Sequence, residues 1–166
     1  MDPLNDGGAE TGVTTERGRG ALAGFARRLL GADLAVIAAP APRDESASLA
    51  PDFLCRAADG LPGVPVPPRN ALLGASHTLL TLAAAEIPKR LAVGQDATLH
   101  ALLADATTAY GAGVRSADGD LVGVVLGVAR GPLDEVDPRS WRALMDLVRD
   151  ALGSESEGGA PQGHGV

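Results

Sequence analysis

The stretch Gly113–Val128, with the sequence GVRSADGDLVGVVLGV, contains the clearest structural signal in the chain. Two extended arms, Gly113–Ala117 and Asp120–Val128, flank the pair Asp118-Gly119, which is typical of a hairpin turn because it tolerates positive φ angles. The second arm is almost continuously apolar, which predicts a strand in the middle of a sheet with both faces covered. Two glycines in this arm leave room for a close neighbour: Gly123 and Gly127.

An amphipathic helix is predicted on either side of this hairpin, one near each end of the chain. The first follows the capping residues Thr14-Thr15-Glu16 and ends at Gly31. Its apolar residues recur at helical spacing: Leu22, Phe25, Ala26, Leu29 and Leu30. The last helix begins at Asp137-Pro138, a good cap followed by proline at the first helical position. Its apolar face is formed by Trp141, Leu144, Met145, Val148 and Leu152.

Two strands are predicted before the middle of the chain. The apolar run Leu34–Ala39 is closed by prolines, and a weaker strand lies within Ala47–Ala58 and ends at Asp59-Gly60. The segment Leu61–Pro68 has four prolines in eight residues and should be an extended loop.

The middle of the chain has the least regular pattern. Ala71–Ala85 is predicted as a helix or as a helix followed by a strand, with a break at Ile87-Pro88, and Thr98–Tyr110 is predicted as helical. The polar ends, residues 1–13 and 153–166, are predicted to be disordered tails around one domain at residues 14–152.

The composition excludes several classes of function. A net charge of -7 and a pI near 4.8 disfavour nucleic-acid binding, because both would repel a phosphate backbone. Cys55 is the single cysteine, which excludes an intramolecular disulfide and a cysteine-only zinc site. Neither a signal peptide nor an apolar run long enough for a membrane span is present, so we expect a cytoplasmic protein without membrane contact.

No catalytic pattern stands out in the sequence. There is no nucleophile elbow, no P-loop and no dinucleotide fingerprint, and the acidic residues occur at caps, turns and tails. No histidine has a cysteine or glutamate at metal-ligand spacing. We therefore expect neither an enzyme nor a metal site.

The order of the predicted elements resembles the GAF family of sensor domains. Ala109–Val125 is similar to the family's tyrosine-glycine-valine-proline strand, Asp-Gly turn and glycine-containing central strand, although Ala112-Gly113 is an insertion and Arg115 replaces a frequent proline. The opening helix that leads into Ala32–Ile37 also resembles the start of the family's fold, and together these matches cover about half of the chain. The resemblance implies a stand-alone bacterial α+β domain with a central antiparallel β-sheet flanked by helices on its faces. A PAS-like winding of similar elements is the structural alternative.

In GAF domains the ligand lies between the sheet and the irregular middle segment. By this resemblance the ligand-binding residues would be Phe53, Cys55, Arg56, His77, Asp105 and Tyr110. The resemblance identifies neither the ligand nor a cofactor. The step Glu86-Ile87-Pro88 is also similar to a motif of bilin-binding phytochrome GAF domains, but no cysteine lies where the bilin thioether would form.

Several of these residues have an ordinary structural explanation. Cys55 could be a redox-sensing thiol beside Arg56, or a small buried apolar residue. His77 could contact a ligand or cap a helix, and Tyr110 could face a pocket or pack at the start of a strand.

Three functions remain on sequence grounds. The first is a small-molecule sensor that acts through a partner protein or its own dimer. The second is an interaction module with a vestigial pocket, which forms a homodimer through its first and last helices. The third is a redox sensor based on Cys55.

Overall fold

The computed structural model describes residues 18, 20–41, 52–74, 76–133 and 135–164, with side chains as far as Gly153. The predicted tail at residues 1–13, the predicted cap Thr14-Thr15-Glu16 and the start of the weaker strand at residues 47–51 lie outside the described residues. No helix in the described part is long and apolar enough to span a membrane.

In the described part of the chain, six antiparallel strands form one sheet in the order β3-β2-β1-β6-β5-β4. Their bounds are β1 Leu34–Pro40, β2 Phe53–Gly60, β3 Leu72–Leu73, β4 Lys89–Ala92, β5 Thr108–Arg115 and β6 Leu121–Ala129. The helices are α1 at residues 20–30, α2 His77–Ala84, α3 Ala97–Leu102 and α4 Pro138–His164. This α+β arrangement confirms the predicted fold class.

Each face of the sheet has its own apolar core. On one face α1 and α4 cover residues that include Ala35, Ile37, Ala112 and Val125. On the other face α2 and α3 cover residues that include Val36, Phe53, Val124 and Leu126. The sheet is therefore the middle layer of three.

The predicted hairpin is confirmed, and β6 lies between β1 and β5 in the middle of the sheet. Its glycines do make close contacts, because a Cβ on Gly123 would meet Leu152 and the carbonyl of Ala38, and one on Gly127 would meet Leu30. Gly31 ends α1 with a positive φ of 69°, and Asp137 caps α4 with 3.0 Å from its Oδ2 to the backbone N of Ser140.

The predictions for the middle of the chain were partly wrong. Ala71–Ala85 forms the short strand β3 and then α2, the reverse of a helix followed by a strand. Thr98–Tyr110 is not one helix, because α3 ends at Leu102 and β5 begins at Thr108. The break lies at Asp105, whose positive φ of 64° is incompatible with a continuing helix.

Helix α4 extends beyond Leu152, where the predicted tail begins, to His164. The stretch after Leu152 lacks the apolar periodicity from which a packed helix is recognised in a sequence, so the pattern gave no signal for this extension.

Candidate functional site

A groove of about 870 Å³ opens beside α4, and we call it the α4 groove. Its floor is β5, and α4 forms one wall. The segment Glu86–Pro88 between α2 and β4 forms another wall. Gly119 of the hairpin turn, and Glu135 and Val136 before α4, also line the groove. The volume lies in the range of small-molecule sites, about 300–1,000 Å³.

The groove exists because β4 is too short to cover its neighbour. The four residues of β4 pair with β5 only from Thr108 to Gly111. Beyond that point the backbone N of Gly113 donates a hydrogen bond of 2.9 Å to the carbonyl of Ala85. This bond holds the segment Glu86–Pro88 beside the uncovered half of β5.

Aromatic and apolar side chains line the deep part of the groove. The rings of Tyr110 and Trp141 meet edge to face, with centroids 5.8 Å apart and planes at 83°. Met145 lies one helical turn beyond Trp141 and also lines the groove. All three residues are less than 9% exposed, so packing fixes this wall and each side chain presents only a small apolar edge to the groove.

The outer wall carries the most exposed large apolar side chain among those described. Ile87 is 77% exposed and lines the groove. The neighbouring Pro88 restricts the backbone φ and ψ angles of Ile87, which limits the conformations that this wall can adopt.

Two arginines form the polar end of the groove, near the hairpin turn. Arg115 donates from Nη1 to the carbonyl of Gly119 over 3.1 Å. Arg149 donates from Nε to the carbonyl of Arg115 over 2.6 Å and pairs through Nη1 with Asp146 Oδ1 at 2.8 Å. These three bonds occupy only part of the ten N–H groups of two guanidinium ions.

The opposite face of the sheet, between the strands and α2 and α3, is filled with apolar side chains. Phe53, Leu79 and Leu82 are at most 1% exposed, and Leu99 is fully buried. Two smaller recesses open on this side, of about 270 Å³ beside α3 and about 380 Å³ beside α2. The apolar side chains of α2 and α3 thus pack directly on the sheet.

The predicted ligand-binding residues do not meet at one place. Phe53 and Cys55 are buried on the α2 and α3 face, whereas Tyr110 lines the α4 groove on the other face. His77 is exposed at the start of α2, and Asp105 is exposed in the turn after α3. Of the predicted set, Tyr110 alone lines the α4 groove.

Arg56 lies at an irregularity of β2, where the register with β1 shifts between Ala57 and Cys55. Its Nη1 donates a 2.6 Å hydrogen bond to Asn70 Oδ1. The side chain is thereby tied to the loop before β3 and kept away from the α4 groove.

Cys55 is fully buried, with its Sγ 3.9 Å from the carbonyl oxygen of Pro67. Burial raises the pKa of the thiol above its ordinary value of 9.0, and the backbone N–H of Ala57 and the charge of Arg56 offset this only in part. A thiol that is protonated and shielded at neutral pH fits a small apolar core residue better than a redox sensor.

Among the described residues, no group of three or more His, Cys, Asp or Glu side chains is arranged to hold a metal ion. His100 directs its Nε2 to the carbonyl of Ala106 at 3.2 Å, which gives this ring a structural role in the turn after α3.

The sequence pattern attributed three groove residues to other roles. Trp141 and Met145 were assigned to the apolar face of the last helix, and Arg115 only marked a departure from a family motif. A signal was nevertheless present, because Trp141, Met145 and Arg149 follow one another at intervals of four residues. This spacing places them along one line of the helix.

No protein-family model and no curated protein matches the sequence. Solved structures match at low identity. The chromophore-binding domain of a bacteriophytochrome from R. palustris is 10% identical with a TM-score of 0.60, over 87% of this chain and 57% of that domain. The PixJ GAF domain from Thermosynechococcus elongatus is 12% identical with a TM-score of 0.55, over 91% of this chain and 94% of its own. A GAF domain/HD domain protein from Geobacter sulfurreducens is 17% identical with a TM-score of 0.56, over 86% and 92%. These similarities show that the chain has the GAF fold.

Proposed function

We propose that this GAF-fold chain is a non-catalytic regulatory domain that binds a small molecule with an apolar body in the α4 groove. In the cytoplasm, the conformational effect of binding would be transmitted through α1 and α4 to a partner protein or to a second copy of the chain. The observation that carries the proposal is the groove itself, with the Tyr110–Trp141 pair and Met145 in its wall.

The position of the groove supports a regulatory role. A molecule in the groove would touch both β5 and α4, and α4 continues past its core residue Leu152 to His164. If the groove binds a ligand more tightly in one orientation of α4 than in another, the ligand would shift the equilibrium between the two orientations. No catalytic arrangement is needed for such a response.

The test uses Trp141, which is the single tryptophan of the chain and lies in the groove wall. We expect the neutral fluorophore phenylnaphthylamine to bind with about one molecule per chain and to quench Trp141 by energy transfer. Ile87→Glu should weaken binding by about tenfold, because it places a charge on the apolar wall. Leu72→Glu is the matched control, since Leu72 is also exposed, at 61%, but lies at the far edge of the sheet.

Equal affinity of the two variants would contradict a site in the α4 groove. Native mass spectrometry of freshly purified protein adds an independent readout. We expect a retained mass of a few hundred daltons, lost on denaturation, from a molecule of the size that such a volume holds.

The filled core under α2 and α3 favours a second function, an interaction module that has lost its ligand pocket. This module would dimerise through α1 and α4. However, Trp141, Leu144 and Val148 are at most 5% exposed within one chain, so few apolar groups remain on α4 for a dimer. Leu147, which is 49% exposed, is the main one.

Light scattering distinguishes the two functions. A stable dimer that becomes a monomer in Leu147→Glu, together with no binding of phenylnaphthylamine, would favour the interaction module. A monomer that binds the fluorophore would favour the ligand-binding domain.

A further inference from the structure

We infer that the α4 groove selects aromatic anions, which are molecules with a flat apolar body and one acidic group. This inference rests on the proposed function and adds the chemical class of the ligand. It starts from the separation of apolar and cationic groups along the groove.

The apolar and cationic parts of the groove lie at different distances along α4. Pro138 and Trp141 lie in the first turn of the helix, Met145 in the middle, and Arg149 near the hairpin. Eleven residues separate Pro138 from Arg149, which corresponds to about 16 Å along the helix axis. A ligand of two or three fused rings that covers Trp141 and Met145 would therefore reach the arginines with one substituent.

Arg115 and Arg149 are held together at that end. The Nε of Arg149 donates to the carbonyl of Arg115, and the Nη1 of Arg115 donates to the carbonyl of Gly119. Both guanidinium groups are thus anchored by backbone oxygens and keep further N–H donors for a ligand. Anchored guanidinium groups bind carboxylates and related anions well, because little side-chain freedom is lost on binding.

The acidic residues of the groove do not cancel this preference. Asp146 Oδ1 accepts a bond from Arg149, but the two side chains are 62% and 41% exposed, so this pair offsets the charge of Arg149 only in part. Glu86 and Glu135 are exposed on the rim, where solvent screens their charge. Arg142 is exposed at the other end of the groove, beside Trp141, and solvent screens its charge in the same way.

The test compares two fluorophores that share an arylamine body and differ in one charged group: anilinonaphthalene sulfonate and the neutral phenylnaphthylamine. We expect the full chain to bind the sulfonate about tenfold more tightly than the neutral compound, measured by quenching of Trp141. Arg115→Gln should lower the affinity for the sulfonate much more than the affinity for the neutral compound, and so remove most of this preference.

Arg149→Gln provides a second variant. It also removes the hydrogen bond from α4 to the carbonyl of Arg115 in β5. We expect the same loss of anion preference, and Arg149→Lys should restore it in part, since lysine keeps the charge but not the planar fork. Arg28→Gln, on the exposed side of α1, is the control for a general change of net charge.

The outcomes separate the two proposals. If the native chain binds neither fluorophore, the proposed function fails. The inference on ligand class is overturned if both fluorophores bind with the same affinity. It is also overturned if Arg115→Gln and Arg149→Gln lower the affinity for the sulfonate no more than Arg28→Gln does. In both cases the groove remains a binding site.

Discussion

The carboxylate of Asp96 accepts a hydrogen bond of 2.5 Å from the hydroxyl of Ser76, twenty residues earlier in the chain. Each of the two residues caps a helix. Asp96 Oδ1 accepts from the backbone N of Leu99 at 3.1 Å in α3, and Ser76 Oγ accepts from the backbone N of Leu79 at 3.0 Å in α2. A single pair of side chains thus fixes the start of both short helices, neither of which exceeds eight residues.

Replacing Asp96 with alanine should lower the free energy of unfolding by about 1–2 kcal/mol, because the cap of α3 and the partner of Ser76 are lost together. Urea denaturation followed by circular dichroism measures the change. Asp150→Ala, an exposed position on α4, serves as the control and should change stability by less than about 0.5 kcal/mol. Equal losses in the two variants would show that the shared cap contributes nothing.

The same carboxylate should make stability depend on pH in the acid range. Burial raises the pKa of Asp96, but the hydrogen bonds from Ser76, Leu99 and Thr78 outweigh it and hold the pKa below its ordinary value of 3.8. Because the folded-state pKa is lowered, the contribution is complete above pH 3.8 and is lost as pH falls through the folded-state pKa.

Asp96→Asn keeps a capping oxygen and removes the titration. We expect the free energy of unfolding of the native sequence, measured relative to this variant, to be constant between neutral pH and about pH 5 and to decline below pH 4. A difference that stays constant through the acid range would contradict the assigned pKa direction.

The hairpin and the boundaries of the first and last helices were predictable because residue types with a clear local preference mark them. The Asp118-Gly119 turn, the positive φ of Gly31 and the Asp137-Pro138 cap each determine a boundary by themselves. The middle was not predictable, since β3 has two residues and α3 has six, too few to show a period. The starts of α2 and α3 depend on the contact between Ser76 and Asp96, which joins residues far apart in sequence.

The candidate site was predictable only at Tyr110. The sequence pattern assigns Trp141 and Met145 to a core face, and they are indeed buried, but the groove beside them arises from the shortness of β4. That shortness follows from the Gly113–Ala85 hydrogen bond and the Pro88 break, whose combined effect becomes apparent only when the sheet is assembled.

Cys55 should be slow to react with a thiol reagent in the native protein. Its side chain is fully buried and its pKa is raised by burial, so the thiolate is scarce and shielded. We expect dithionitrobenzoate to react more than about a hundredfold more slowly with the native chain than with the chain in urea, since reaction requires local opening. Rapid reaction of one thiol per native chain, absent in Cys55→Ala, would instead support the redox-sensor hypothesis.

Gly123 should not tolerate a side chain, because a Cβ at this position would lie 2.8 Å from the carbonyl oxygen of Ala38 and still closer to Leu152. The strand β1 cannot move away from β6 without breaking its own pairing, and Leu152 anchors α4 to the sheet. Gly123→Ala should therefore lower the free energy of unfolding by about 1–3 kcal/mol, measured by urea denaturation. Gly131→Ala is the matched control, since a Cβ there would meet no atom within 4 Å, and it should be neutral or slightly stabilising. If both substitutions had the same effect, α4 would not be packed as closely on β6 as the position of Leu152 requires.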